Sequence, residues 1–223
     1  MATDAQRFRD LTLDAFVGRL ASLEPVPGGG SASAVAAGLA AGLVAMVASL
    51  SEGRPRYAVY SATHAAAAGR GRELADRFLA LADEDAGAYA EFAATRKMAR
   101  ETAEEQAIRA VALRRAARNA AAVPLDCVGA CLELVELAES LAGRSNANAA
   151  SDLAVATLLV EAAAQGAAEN VLVNLPAVED QSFADATTAR VTELLAAIGR
   201  HAAATRAVVA SGEARAPLST ATV

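Results

Sequence analysis

No charged residue falls between Pro25 and Ser51, and this run constrains the fold more than any other feature of the chain. An uncharged helix of this length belongs in a protein core or in a bilayer. It opens as PVPGGGS and continues in Ala, Gly and Val with few Leu. About 20 apolar residues are enough to span a membrane. The composition argues for the core instead. Ala and Gly drive insertion weakly, and neither a Lys/Arg cluster nor a Trp/Tyr belt frames the run. The expectation is a buried helix from about Gly30 or Ser31 to Ser51, with no membrane partner.

Alanine dominates the rest of the 223 residues, and β-branched and aromatic residues are sparse. Ala is the best helix former because it loses no side-chain entropy. The sequence therefore predicts an all-α chain: a single domain over 1–223, built as a bundle of about seven helices. Apolar residues at Leu11, Leu13, Phe16, Val17, Leu20 and Leu23 give a short amphipathic helix, ended by EPVPGGG. A long helix runs from about Tyr57 towards Arg96, with a break expected near Gly69 and Gly71. ETAEEQ opens another, its acids at the positive end of the helix dipole. Pro124 is read as starting a new helix, which Gly143 ends. RSNANAASD leads into a helix stopped by Pro176, and a last helix spans roughly Asp180 to Ser211. Residues 212–223 read as a loose tail. Gly38 and Gly42, four apart, allow close helix approach. Flat Ala/Gly faces of this kind often meet between subunits, so a two-fold homodimer is expected.

The formal net charge is −6, and there is no basic block, which argues against a nucleic-acid partner. Cys127 and Cys131 stack along one helix face and read as buried small hydrophobes. His64 and His201 have no ligand-like neighbours, so no metal site is expected. The N-terminal residues mix acids and bases, unlike a secretory signal, and nothing demands an oxidising compartment. A cytoplasmic protein is expected.

Several segments are candidates for chemistry. Gly28, Gly29 and Gly30 expose backbone N–H groups ahead of a helix and could hold an anion or a polar ring edge there; a tight, closely packed turn is the alternative. Asn148 and Asp152 share a helix face, and Asp152 reads either as an N-terminal cap or as an acid/base. On an unbroken helix Asn170 would stand about 27 Å from Asp152, so the two share a pocket only if a second subunit supplies one of them or the helix breaks. Asn170 and Asn174 otherwise read as C-terminal capping residues. Arg54 and Arg56 suit an anionic tail, and Tyr57 suits stacking or donation. Asp83, Glu84 and Asp85 read as a solvated acidic face.

Taken in order, LASLEPVPGGGSASA, the RY at Arg56–Tyr57, LADEDAGAY, AAAVPLDC, NANAASD and GAAENVLVN resemble the cyclodeaminase/cyclohydrolase family of folate enzymes over nearly the whole chain. The resemblance implies an all-α homodimer acting on one-carbon adducts of tetrahydrofolate, without a metal. Its members are cyclodeaminases, which convert 5-formiminotetrahydrofolate to 5,10-methenyltetrahydrofolate and ammonia, and cyclohydrolases, which interconvert the 5,10-methenyl and 10-formyl forms. Gly28–Gly30 with Ser31, the segment Arg54, Arg56 and Tyr57, and Ser151–Asp152 with Asn148 match the family's pocket motifs. Asp152 is then the catalytic candidate. The chain departs from the family at Arg54-Pro55-Arg56, where a lysine-rich stretch is common, and at Ala99-Arg100, where a Pro-Lys pair is common. A non-catalytic helical dimer binding folate or a protein is the reading from another class.

Overall fold

The computed structural model describes residues 7–218. They form six α-helices with short 3₁₀ turns between them and no strand. The helices are α1 (Leu13–Leu20), α2 (Gly29–Ser49), α3 (Ser61–Arg96), α4 (Ala103–Leu141), α5 (Ala150–Asn174) and α6 (Gln181–Ser211). The outermost tail residues, 219–223, lie outside the described residues.

α2 packs against α3 and α5, while α4 closes the bundle from α3 to α5. α6 lies against both α4 and α5. The core is thin because small residues let backbones approach. Ala37, Ala40, Ala41, Val44 and Val47 of α2 are fully buried. Larger chains fill the centre from the other helices, among them Leu74, Phe78, Leu81, Leu134, Leu153 and Ile198. Close approach is measurable at two glycines. A Cβ on Gly71 would stand 3.1 Å from the Ala45 Cβ, and one on Gly166 would collide with the Ser33 hydroxyl. Gly38 faces α3 at ordinary contact distance, whereas a Cβ on Gly42 would meet nothing within 4 Å among the described residues. Cys127 and Cys131 are free and buried, as expected.

Three expectations need correction. First, α3 is continuous through Gly69 and Gly71. Second, Pro124 does not start a helix: α4 runs through it for 39 residues, which merges two expected helices and makes six rather than seven. Proline lacks the N–H that would pair with the carbonyl four residues back, here Ala120. That carbonyl accepts instead from the side-chain amide of Asn174 on α5, at 3.0 Å. The tertiary contact replaces the lost helical bond, so the helix need not break. Third, the apolar stripe of α1 does not face the core. Phe16 is its one buried residue, packed edge-on to Phe8 with centroids 5.6 Å apart. Leu13, Val17 and Leu23 are exposed.

Beyond α6, Gly212 caps the helix in the left-handed region, and residues 213–216 turn back along α4. The Arg215 N–H donates to the Gly143 carbonyl, the Tyr60 hydroxyl to the Arg215 carbonyl, and Arg144 Nε to the Ala216 carbonyl. These bonds anchor the loop after α4.

α2 (29–49) and the segment 147–178 are each long and apolar enough to cross a membrane. Over half of the α2 window is buried within the bundle.

Candidate active site

The N-terminus of α2 has no capping side chain of its own, because Gly28 is the cap residue. Its first N–H groups lack helical acceptors, as at any helix start. The acceptor comes from α3. Asp85 lies against the turn, where its carboxylate takes the Ser31 hydroxyl at 3.0 Å. That hydroxyl has a single hydrogen, shared with the Ala82 carbonyl, also at 3.0 Å. Ser31 is fully buried. Burial raises the Asp85 carboxyl above the ordinary carboxylate range; the Ser31 hydroxyl and backbone N–H, both donating, offset part of that rise.

The glycines serve space, not conformation. No residue of Gly28–Gly30 has positive φ, and Gly28 is plain extended backbone. A Cβ on Gly30 would come under 3.0 Å from all three carboxylate atoms of Asp85. A Cβ on Gly29 would stand 3.4 Å from the Asn170 amide nitrogen. Gly30 is therefore the position that must be glycine, because the Asp85 carboxylate presses against it; at Gly29 a Cβ would make only ordinary contact, and Gly28 has open space.

A cleft of about 210 Å³ opens over this turn, lined by Gly28–Gly30, Asp85, Tyr89, Phe92, Asn170 and Asn174. The two amides are oriented by what they donate to. Asn170 Nδ2 gives to the Gly166 carbonyl at 2.8 Å, while Asn174 Nδ2 gives to Ala120 and to the Asn170 carbonyl at 2.7 Å. Their amide oxygens have no donor among the described residues. The cleft thus offers carboxyl and carbonyl acceptors beside helix N–H donors, between the aromatic walls Tyr89 and Phe92. That is the pattern a flat, amino-bearing heterocycle requires.

The other candidates gather at the far end of α2 and α5. Tyr57 accepts the Ala147 N–H at 3.0 Å, and Arg56 lies over its ring, 5.6 Å from the centroid. Asn146 is buried, with its N–H on the Ser51 hydroxyl and its Oδ1 accepting from the Asn148 N–H. Arg54, Arg56, Asn148 and Ser151 are exposed, and Asp152 sits half-buried in the first turn of α5. His64, fully buried behind Tyr57, binds the Arg144 carbonyl at 2.8 Å. A carbonyl only accepts, so Nε2 carries the proton.

Because α5 is unbroken, these two clusters stand about 27 Å apart in one chain. The structure brings Gly28–Ser31 together with Asp85, Asn170 and Asn174, and brings Arg54–Tyr57 together with 146–152; it does not join the two groups within the chain. Spacing alone reads Asp85 as part of a solvated acidic face and the asparagines as caps. Of the acidic triplet, Glu84 pairs with Arg77 and Asp83 accepts the Phe8 N–H, so Asp85 alone enters the cleft. The signal available was a helix start with no capping side chain.

Comparison with known proteins agrees with this geometry. The profile of the formiminotransferase-cyclodeaminase family matches residues 12–193. The methenyltetrahydrofolate cyclohydrolase of Methylorubrum extorquens is 34% identical over 188 residues, covering 84% of this chain and 90% of that protein. The formimidoyltransferase-cyclodeaminase of Rattus norvegicus is 34% identical over 198 residues; the match takes in 85% of this chain but only 35% of the longer rat protein. A crystal structure of formiminotetrahydrofolate cyclodeaminase from Thermotoga maritima superposes with a TM-score of 0.83 at 26% identity, over 91% of this chain and 98% of that one. With the fold, the motifs and the sequence in agreement, the chain belongs to the formiminotransferase-cyclodeaminase family of folate one-carbon enzymes.

Proposed function

We propose that the protein is a cytoplasmic, homodimeric formimidoyltetrahydrofolate cyclodeaminase, and that Asp85 is its acid/base. The observation that carries this reading is the desolvated Asp85 carboxyl pressed against the glycine turn. Closure of 5-formiminotetrahydrofolate, taken with its basic formimino nitrogen already protonated from solvent, requires N10 to attack the formimino carbon, N10 to lose its proton, and the departing nitrogen to gain one more before it leaves as ammonia. One carboxyl that first accepts and then donates balances both transfers. An acid with a raised pKa is suited to this, since proton transfer is efficient when the pKa approaches the working pH. A positioned acid/base typically contributes about 10²–10⁴-fold. The chemistry calls for no metal.

A second reading, methenyltetrahydrofolate cyclohydrolase, is favoured by the end-to-end match to the bacterial cyclohydrolase. There the same carboxylate would take a proton from the attacking water.

The dimer supplies what one chain lacks. Leu39 and Met46 of α2, Leu50 just past its end, and Val155 and Leu158 of α5 present exposed apolar side chains on one side of the α2–α5 pair, with Gly42 open beside them. A face of this kind marks an interaction surface, and a second copy related by a two-fold axis suits it. With α2 and α5 antiparallel to their equivalents, the partner's Asp152 end would meet this chain's glycine turn. Gly28–Ser31 would then hold the ring, Asn148, Ser151 and Asp152 would close the site from across the interface, and Arg54 and Arg56 would take the glutamate tail beside Tyr57.

The test is to supply each folate adduct and follow both methenyltetrahydrofolate absorbance and ammonia. Methenyl formation with ammonia release supports the cyclodeaminase; methenyl consumption without ammonia supports the cyclohydrolase. Turnover of neither at micromolar enzyme defeats both readings.

A further inference from the structure

Pro124 lies buried in the middle of α4, a position where proline costs a helical hydrogen bond and crowds the carbonyl four residues back. The carbonyl left without its helical donor is Ala120, which borders the cleft over the glycine turn. Asn174, 54 residues away on α5, supplies the missing donor at 3.0 Å. Its second amide hydrogen goes to the Asn170 carbonyl at 2.7 Å. Both hydrogens of the side-chain NH₂ are therefore committed to backbone acceptors. The amide cannot flip without breaking both bonds, so Oδ1 remains as the free polar atom of Asn174 at the cleft.

We infer that Pro124 is a positioning residue: by denying the Ala120 carbonyl a helical donor, it fixes the Asn174 amide oxygen as an acceptor for an N–H of the bound ring. The inference rests on the proposed folate site and adds to it a specificity element, one that selects a ring edge presenting a donor at this point. A neutral amide oxygen here complements the Asp85 carboxyl across the cleft, so the ring is read by two acceptors on different helices. An alanine at 124 would restore an N–H to the helix, satisfy Ala120 from within α4 and leave the Asn174 amide held only by its bond to the Asn170 carbonyl.

A purely structural role would change stability alone, whereas this one also changes KM. In the native background, Asn174→Ala lowers the unfolding midpoint, since a buried carbonyl loses its only donor. In the Pro124→Ala background the same substitution costs little. Equal cost in both backgrounds overturns the inference, and this cycle needs no substrate. In kinetics, Pro124→Ala raises KM for the folate adduct about tenfold while kcat changes less, as expected for loss of a ground-state hydrogen bond. Asn174→Ala does the same, and the double variant is no worse than either. An unchanged KM in a folded Pro124→Ala protein also overturns it. If that variant does not fold, the native protein decides: both side-chain amide protons of Asn174 exchange slowly in nitrogen-15 spectra, and fast exchange of either contradicts the inference. A wild-type protein that turns over neither adduct would defeat the functional reading while leaving the stability cycle and the exchange measurement to judge this one.

Discussion

The two ends of the α2–α5 pair are built on different physics. At the glycine turn, residues from α2, α3, α4 and α5 converge on a desolvated acid, with Gly30 leaving it room. At the opposite end, Arg54, Arg56, Asn148 and Ser151 stand in solvent, and the ordered contacts are mostly to backbone. Burial is what raises a carboxyl above its ordinary range, towards that of an acid/base, and exposure is what lets an arginine meet a long anionic tail. The difference assigns the two jobs of the proposed enzyme to different ends: proton transfer at the turn, capture of the substrate's outer parts at Tyr57 and Asp152. On the proposed reading one chain would be insufficient, since a single folate would have to reach both ends.

The sharpest way to break this contrast is Gly30→Ala. The added methyl must displace the Asp85 carboxylate, and a misplacement of about 1 Å is expected to lower kcat roughly a hundredfold. Steady-state turnover of the folded variant checks this; a loss under threefold would show that Asp85 need not stay where it is. The next test sharpens the relation between the ends. Co-expressed Gly30→Ala and Asp152→Asn chains should recover about a quarter of wild-type activity, because half of the dimers are mixed and each has one intact composite site. Recovery no higher than either parent would put the whole site in one subunit, and full activity of Asp152→Asn alone would remove Asp152 from the reaction.

Smaller effects follow from the acid itself. Ser31 donates to Asp85 and so favours its charged form. Ser31→Ala should move the acidic limb of the kcat profile to higher pH, and a limb that stays put would detach that limb from Asp85. The smallest effect is on stability. With its folded pKa raised by burial, Asp85 binds its proton more tightly in the folded chain than in the unfolded one. Stability therefore falls as pH rises from the ordinary carboxylate range through the raised value, and the charged form is a cost at neutral pH. Asp85→Asn should keep or slightly raise the Tm at pH 7 and flatten its slope just above the ordinary carboxylate range. Thermal melts across that range would show the opposite, a clear loss at pH 7, if the charge were stabilising.

Much of this was legible in the residues. The uncharged run specified a core helix, and PVPGGGS located the turn that opens it. What periodicity could not carry was any contact made across the bundle. Asp85 looks like its neighbours Asp83 and Glu84 until Ser31, 54 residues away, is placed against it. Pro124 looks like a helix start until Asn174 supplies the donor that lets α4 continue. The glycines suggested exposed N–H groups or a tight turn, yet their φ values are ordinary and the one strict requirement is for room beside the Asp85 carboxylate at Gly30. The outward stripe of α1 shows the converse error: apolar spacing gave a face but not what it faces.

The central claim, that the carboxyl under the glycine turn moves the protons of the reaction, is tested most directly by kcat of Asp85→Asn. The measurement is methenyltetrahydrofolate absorbance with saturating 5-formiminotetrahydrofolate, on protein shown to be folded. The account predicts a loss of at least about a hundredfold, within the range for a removed acid/base. A kcat within a few-fold of wild type would contradict it.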